Sequence, residues 1–192
     1  GTLERLGSAR GMGPNEEVFA VRYVGDTAYV VTFRRIDPFH VVDVSDPTDP
    51  EEVGQLELPG FSSYLHPIDE DHVLGIGRED GQVKAVTFDV SDPSDPVVED
   101  DYLFAAGWSA ISESHHAFLL DRRHEVFFLP TGQGGRVVDY GGGDLSLVTT
   151  VETDGAALRA AYVDDYMYVF GREELVVVNE QTWNRTATVE FH

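Results

Sequence analysis

Two acidic segments of this chain gather carboxylates closely enough to hold a cation. Val44-Ser45-Asp46-Pro47-Thr48-Asp49-Pro50 returns 46 residues later as Val90-Ser91-Asp92-Pro93-Ser94-Asp95-Pro96. Asp46 and Asp49, or Asp92 and Asp95, with nearby backbone carbonyls, form the oxygen-rich set that calcium takes at about 2.3–2.6 Å. The same residues also make a turn. Asp and Ser accept hydrogen bonds from their own backbone, and Pro fixes φ and removes a ladder donor, so a strand stops there. No Asp-x-Asp-x-Asp-Gly loop of the EF-hand kind is present. The turn is the preferred reading, with calcium as a structural ion the alternative.

Other constellations are thinner. His115-His116 follows Ser112-Glu113-Ser114, which invites a metal or a Ser/His/acid triad. On a strand, adjacent side chains point to opposite faces, which keeps the two histidines from sharing a metal. His66 and His72 fall at strand ends, where a hydrogen-bonded structural histidine is the default. Ser109 and Ser112 lie near His115, but no Gly-x-Ser-x-Gly elbow occurs, and no catalytic residue is assigned. Gly132-Gln133-Gly134-Gly135 and Gly141-Gly142-Gly143 open no helix after a strand, so they read as turns and not as phosphate cradles. Asn184-Arg185-Thr186 is an acceptor sequon for N-glycosylation. Trp108, Trp183 and the tyrosines suit either a carbohydrate site or packing between sheets.

The charge narrows the partners. Thirty-five acidic residues face 13 basic ones, for a net charge of -22, and Lys84 is the one lysine. Self-repulsion on this scale destabilises a compact state unless salt screens it, over about 10 Å at 0.1 M and about 3 Å at 1 M. The expectation is a folded protein with an acidic, hydrated surface, from a halophile, and a chain that nucleic acid and anionic membranes repel. With no cysteine, disulfides, zinc ribbons and thiol nucleophiles are excluded. No apolar run approaches the ~20 residues that span a bilayer.

These residues must be positioned by strands. Short β-branched and aromatic runs alternate with turn signals, and no long stretch has helical period. Val18–Val24, Ala28–Phe33, His40–Val44 and Glu52–Leu58 make one four-stranded meander. Ser63–Ile68, His72–Ile76, Gln82–Val90 and Val97–Phe104 make a second. Ala110–Leu120, Glu125–Leu129, Arg136–Tyr140 and Leu145–Val151 make a third. Leu158–Val163, Tyr166–Phe170, Leu175–Asn179 and Thr186–Phe191 make a fourth. The third strand of each set ends in an apolar pair and an Asp or Asn, at Asp43, Asp89, Asp139 and Asn179, spaced 46, 50 and 40 residues apart. Four strands per 40–50 residues is the unit of a β-propeller blade. The predicted fold is all-β: a β-propeller of about four four-stranded antiparallel blades, at 18–59, 60–104, 105–152 and 153–192, forming part of a larger ring. Thr2–Leu6 reads as a seventeenth strand that belongs to a preceding blade or closes the ring.

Val21 to Arg34, Asp37-Pro38, Val42 to Pro47, Pro59 to Pro67 and Gly75 to Arg78 carry a family likeness. In order and spacing they resemble archaeal and bacterial secreted proteins with a C-terminal β-propeller domain, well over residues 16–130 and loosely beyond. The Arg78–Lys84 stretch is shorter than in that pattern. The resemblance implies a propeller, export to the cell surface, further blades upstream and no established reaction. It also implies a fixed structural role for the His116-Ala117-Phe118-Leu119 segment.

The expected function is a secreted or cell-surface interaction or scaffold module that binds an unidentified protein or surface glycan. A hydrolase or lyase with its site on the ring face is the alternative, and a calcium-stabilised surface module is the third. Exposed blade faces suggest a homodimer or a larger parent protein.

Overall fold

The computed structural model describes residues 2–13, 16–33, 37–58 and 61–191. The blade boundary expected at 59–60 lies outside the described residues. Among the described residues, sixteen strands form four four-stranded sheets, each in simple chain order. The first holds β1 (Glu17–Val24), β2 (Thr27–Phe33), β3 (Asp37–Asp43) and β4 (Glu51–Leu58). The second holds β5 (Phe61–Pro67), β6 (His72–Glu79), β7 (Gln82–Asp89) and β8 (Val97–Leu103). The third holds β9 (Leu119–Asp121), β10 (Val126–Pro130), β11 (Gly135–Asp139) and β12 (Ser146–Val151). The fourth holds β13 (Ala157–Val163), β14 (Tyr166–Gly171), β15 (Glu174–Asn179) and β16 (Arg185–Glu190). Four such meanders are the blades of a propeller.

The chain divides into two compact units, Gly1–Asp80 with Lys84–Glu99, and Gly81–Val83 with Asp100–His192. Each has its own core. Strands second and third in a blade carry apolar residues on both faces, because each face meets another layer. β10, Val-Phe-Phe-Leu-Pro, is buried along its whole length, whereas the outer strand β16 is exposed along its whole length. In the first unit Tyr29, Val31, Phe39 and Val41 pack on Leu65, Val73, Val86 and Phe88. The Phe39 and Phe88 rings stack there, 4.3 Å between centroids. In the second unit Val126, Phe128 and Val137 meet Met167, Val169, Val176 and Val178. Burying each such side chain contributes about 1.5–3 kcal/mol.

One turn recurs in all four blades and sets the register. The Asp or Asn that ends the third strand accepts the N–H two residues on: Asp43 from Ser45, Asp89 from Ser91, Asp139 from Gly141 and Asn179 from Gln181, at 2.8–3.1 Å. This is the Asx turn that such residues favour. The next residue in each case donates its N–H to a carbonyl of the first hairpin: Val44 to Asp26, Val90 to Asp71, Tyr140 to Glu125 and Glu180 to Asp165. Those two bonds lock the third strand's end onto the first turn.

Blade packs on blade through close backbone approach. A Cβ on Gly54 of β4 would collide with the Pro93 carbonyl and crowd Pro96, in the second Ser-Asp-Pro turn. Gly7 meets Pro47, Thr48 and Pro50 of the first such turn in the same way. Residues 2–10 form no strand, so Thr2–Leu6 has no ladder partner among the described residues. Ala9 and Met12 instead cover Ala28, Val30 and Val42 on the outward face of the first blade.

The strand expected at Ala110–Leu120 is corrected. Ala110–Ser112 and His115–Ala117 are 3₁₀ turns, and only Leu119–Asp121 is strand. The serines explain it: the Ser109 hydroxyl accepts from Ile111 N–H and caps the first turn, a bond that competes with a ladder. The expectation that His115 and His116 face opposite ways fails with it. Their rings lie side by side, 4.0 Å between centroids.

Gly54→Ala therefore drives a methyl into backbone that cannot swing aside. The expected loss is about 1–3 kcal/mol in urea unfolding; Gly25→Ala, a strained but uncrowded position, is the comparison.

Candidate functional site

The four aspartates of the Ser-Asp-Pro turns are engaged with their own turns. Asp46 Oδ1 accepts from Thr48 N–H at 2.8 Å and from the Thr48 hydroxyl at 2.6 Å. Asp92 Oδ1 does the same with Ser94, at 2.9 and 2.7 Å. These hydroxyls and amides hold both carboxyl groups below their ordinary pKa. Asp49 and Asp95 donate their N–H groups to the carbonyls of Asp46 and Asp92, each at 3.1 Å. Asn184 is exposed, after the turn that Asn179 caps. Near the two histidines, Glu113 accepts from Trp108 Nε1 at 3.0 Å.

Among the described residues, three potential metal ligands converge at a place the sequence reading did not single out. Asp121, His124 and Glu180 bring ligand atoms within 4.8 Å of one another. Asp121 ends β9, His124 lies in the turn to β10, and Glu180 follows β15, so neighbouring blades supply the parts. Both carboxylates are buried, with side chains 0% exposed. Asp121 Oδ1 accepts from Arg123 N–H at 2.9 Å, and Oδ2 accepts from His124 Nδ1 at 2.9 Å. The Arg123 guanidinium spans the two acids, 3.4 Å from Asp121 Oδ2 and 3.1 Å from Glu180 Oε2, and stands 4.8 Å from the Tyr162 ring centroid. Glu180 Oε1 is buried and meets no donor.

The electrostatics follow from that arrangement. Burial pushes the Glu180 pKa up, and the charge of Asp121 and a hydrogen bond to it push further, to about 7. Burial also acts against ionised Asp121, but hydrogen bonds from His124 and Arg123 outweigh it and hold its pKa below the ordinary value. Two carboxyl groups in contact cannot both ionise without a cation or proton between them. A proton on Glu180, donated in a hydrogen bond to Asp121, relieves that repulsion below about pH 7.

The repeat contained a signal for this site. Glu180 occupies the position held by Val44, Val90 and Tyr140 in the other blades, two of them buried and the third partly so. An acid in an apolar slot of a repeat is the residue to question. A second signal is Asp-x-x-His, at Asp69–His72 and again at Asp121–His124. In the first copy His72 joins Asp69 at 2.8 Å and Glu99 at 2.9 Å. Burial alone would lower the His72 pKa, but the Asp69 hydrogen bond and the charges of Asp69, Glu99 and Asp89 raise it.

A buried relay crosses the first blade. The Thr32 hydroxyl donates to Glu16 at 2.6 Å and lies 3.1 Å from His40 Nε2, while His40 Nδ1 meets Glu52 at 2.5 Å. Thr32 is 2% exposed. With its proton on Glu16 and no open side, this hydroxyl serves as a structural link and not as a nucleophile.

Two clefts lie within the second unit. One, of about 280 Å³, is lined by Ala105–Trp108, Thr131–Gln133 and Arg136. The other, of about 310 Å³, is lined by residues including Glu152, Trp183, Asn184 and Arg185. Trp108 and Trp183 each stand in a cleft beside an amide and an arginine.

The register makes a sharp prediction about Glu180. Replacing it with the valine of the first two blades removes a buried acid and leaves Asp121 paired with Arg123 and His124. Glu180→Val is therefore expected to be neutral or to stabilise by about 1–2 kcal/mol, whereas Asp121→Ala removes the acceptor of Arg123 N–H and His124 Nδ1 and costs about 1–3 kcal/mol, both read from urea unfolding.

The comparisons with known proteins agree with this architecture. The family described as "Beta propeller domain" matches residues 1–190. An uncharacterised protein of Archaeoglobus fulgidus is 47% identical over 189 residues, and one of Methanocaldococcus jannaschii is 35% identical over 190. Each alignment covers 98% of this chain and 30% of the relative, so the chain spans about a third of their length. Among solved structures, the dihydro-heme d1 dehydrogenase NirN matches 96% of the chain and 39% of its own at TM-score 0.66 and 14% identity. The computationally designed Ika8 protein matches 96% and 52% at TM-score 0.63 and 12% identity. At such identities the likeness is one of fold. With four consecutive four-stranded blades and a family match along nearly its whole length, the chain belongs to the β-propeller domain family.

Proposed function

We propose that this protein is a secreted or cell-surface interaction module, and that it receives its ligand at the Trp108 cleft. The observation that carries this reading is the cleft's composition. Ala105–Trp108 leads into the third blade, and Thr131–Gln133 joins β10 to β11, so strand alternation puts both at one end of that blade. Trp108 offers an aromatic platform, Gln133 an amide and Arg136 a cation, in an open cavity of about 280 Å³. An aromatic face with a few convergent polar groups suits the ring of a sugar or a peptide side chain. In a protein of net charge -22, a cleft with its own arginine is also the place for a ligand's acidic group.

Exposed apolar strands support the wider scaffold reading. β1 leaves Val18, Phe19, Val21 and Tyr23 exposed, and β13 leaves Leu158, Tyr162 and Val163 exposed. Further blades of a longer chain cover such faces, with a homodimer as the other route. An acidic surface and the exposed Asn184 sequon fit export into a salty medium.

The cleft is tested by titrating tryptophan fluorescence with neutral and uronic-acid oligosaccharides and with acidic and neutral peptides, in molar salt. Saturable quenching that Trp108→Ala and Arg136→Ala abolish supports the reading. Ligand responses that survive both substitutions would move the site elsewhere.

A further inference from the structure

At the position after the Asx residue, the repeat demands an apolar side chain, and three blades supply Val44, Val90 and Tyr140. The fourth supplies Glu180, and the turn opposite it supplies Asp121 and His124. Desolvating two carboxylates in contact destabilises a fold unless a cation or proton lies between them. Arg123 answers part of that need through Glu180 Oε2 and Asp121 Oδ2. It leaves Glu180 Oε1, fully buried, without a donor.

We propose that Asp121, His124 and Glu180 bind one divalent cation of the zinc class. This rests on the turn face of the third and fourth blades and is independent of the Trp108 cleft. An imidazole nitrogen with two carboxylate oxygens selects a first-row transition cation such as Zn²⁺, Co²⁺ or Mn²⁺, because calcium wants an all-oxygen shell. Tetrahedral ligands at about 2.0–2.1 Å from zinc stand about 3.4 Å apart. The three ligand atoms lie within 4.8 Å of one another, so modest side-chain rotation closes the set. Zinc takes Asp121 Oδ2, His124 Nδ1 and Glu180 Oε1, with the imidazole proton carried on Nε2 and the Glu180 proton released to solvent, and water fills the fourth position.

The surroundings provide the exchange. A dication neutralises both carboxylates and takes over the bridging role of Arg123. The Arg123 side chain is 43% exposed and already stands against the Tyr162 ring, so it can leave the acids without being buried elsewhere. His124 is 24% exposed, which gives the ion a path in. The His124 ring also meets Trp183 edge-on, 6.4 Å between centroids, so an ion on His124 has an optical reporter beside it.

The test uses protein stripped with chelator, in a Trp108→Phe background so that Trp183 alone fluoresces, at salt high enough to screen the surface acids. Co²⁺ is the probe. The expected result is one Co²⁺ per chain, visible d–d absorption, quenched Trp183 emission and displacement by Zn²⁺. Glu180→Gln and His124→Gln weaken binding by about tenfold or more. Circular dichroism confirms that each variant is folded, and Glu180→Val serves as a second knock-out in which the apolar slot is restored. Weak binding at many sites, equal in all variants, means only surface carboxylates are involved and overturns the proposal. Calcium competing as well as zinc overturns the assignment of the ion's class.

Discussion

In each of the four blades, an Asp or Asn at the end of the third strand accepts the N–H two residues on, and the residue after it bonds back to the first hairpin. That pair of contacts sets how far the third strand runs and which residue faces the neighbouring blade. The apolar alternation of every blade is fixed once this turn is fixed, because a slip of one residue would invert both faces. Phe39 meets Phe88 across the first unit for this reason. The Ser-Asp-Pro sequences elaborate the same turn in two blades. Their prolines fit against glycines, at Gly54 for the second turn and Gly7 for the first. Within those two turns, Asp46 and Asp92 each give one carboxylate oxygen to a hydroxyl and a backbone amide of the same turn.

Function in such a repeat arises where one unit departs from the others. Glu180 is the clearest departure. Its backbone does what Val44, Val90 and Tyr140 do, and its side chain does something they cannot. The acid faces Asp121 and Arg123 on the preceding blade's first turn, so a packing contact has become a charged one. The same logic distinguishes the Trp108 cleft. There the connection into the third blade folds into two 3₁₀ turns before the short strand β9, and the residues just ahead of those turns, Ala105–Trp108, line the cleft.

Most of the architecture was legible in the sequence because it is local and repeated. Asp43, Asp89, Asp139 and Asn179 marked the third strands, and β-branched runs marked the rest. The failure at Ala110–Leu120 has a local cause. Ser109 can cap a turn as well as end a strand, and period-two alternation through Ala-Ile-Ser-Glu-Ser-His is weak evidence against that. The missed site has a nonlocal cause. Asp121 and Glu180 meet only when adjacent blades stack, and nothing in either segment alone predicts the partner. The register nevertheless pointed to Glu180, since an acid stood in a column of apolar residues. Aligning the blades residue by residue, beyond the strand ends, would have exposed it.

The central claim is that Glu180 is a buried acid in an apolar slot, held against Asp121. A carbon-13 NMR titration of the glutamate and aspartate side-chain carboxyl groups, on metal-free protein, tests it directly. The account predicts one glutamate, absent from the spectrum of Glu180→Val, that titrates at about 7, well above the ordinary carboxyl range. Titration of Glu180 together with the surface acids would contradict it.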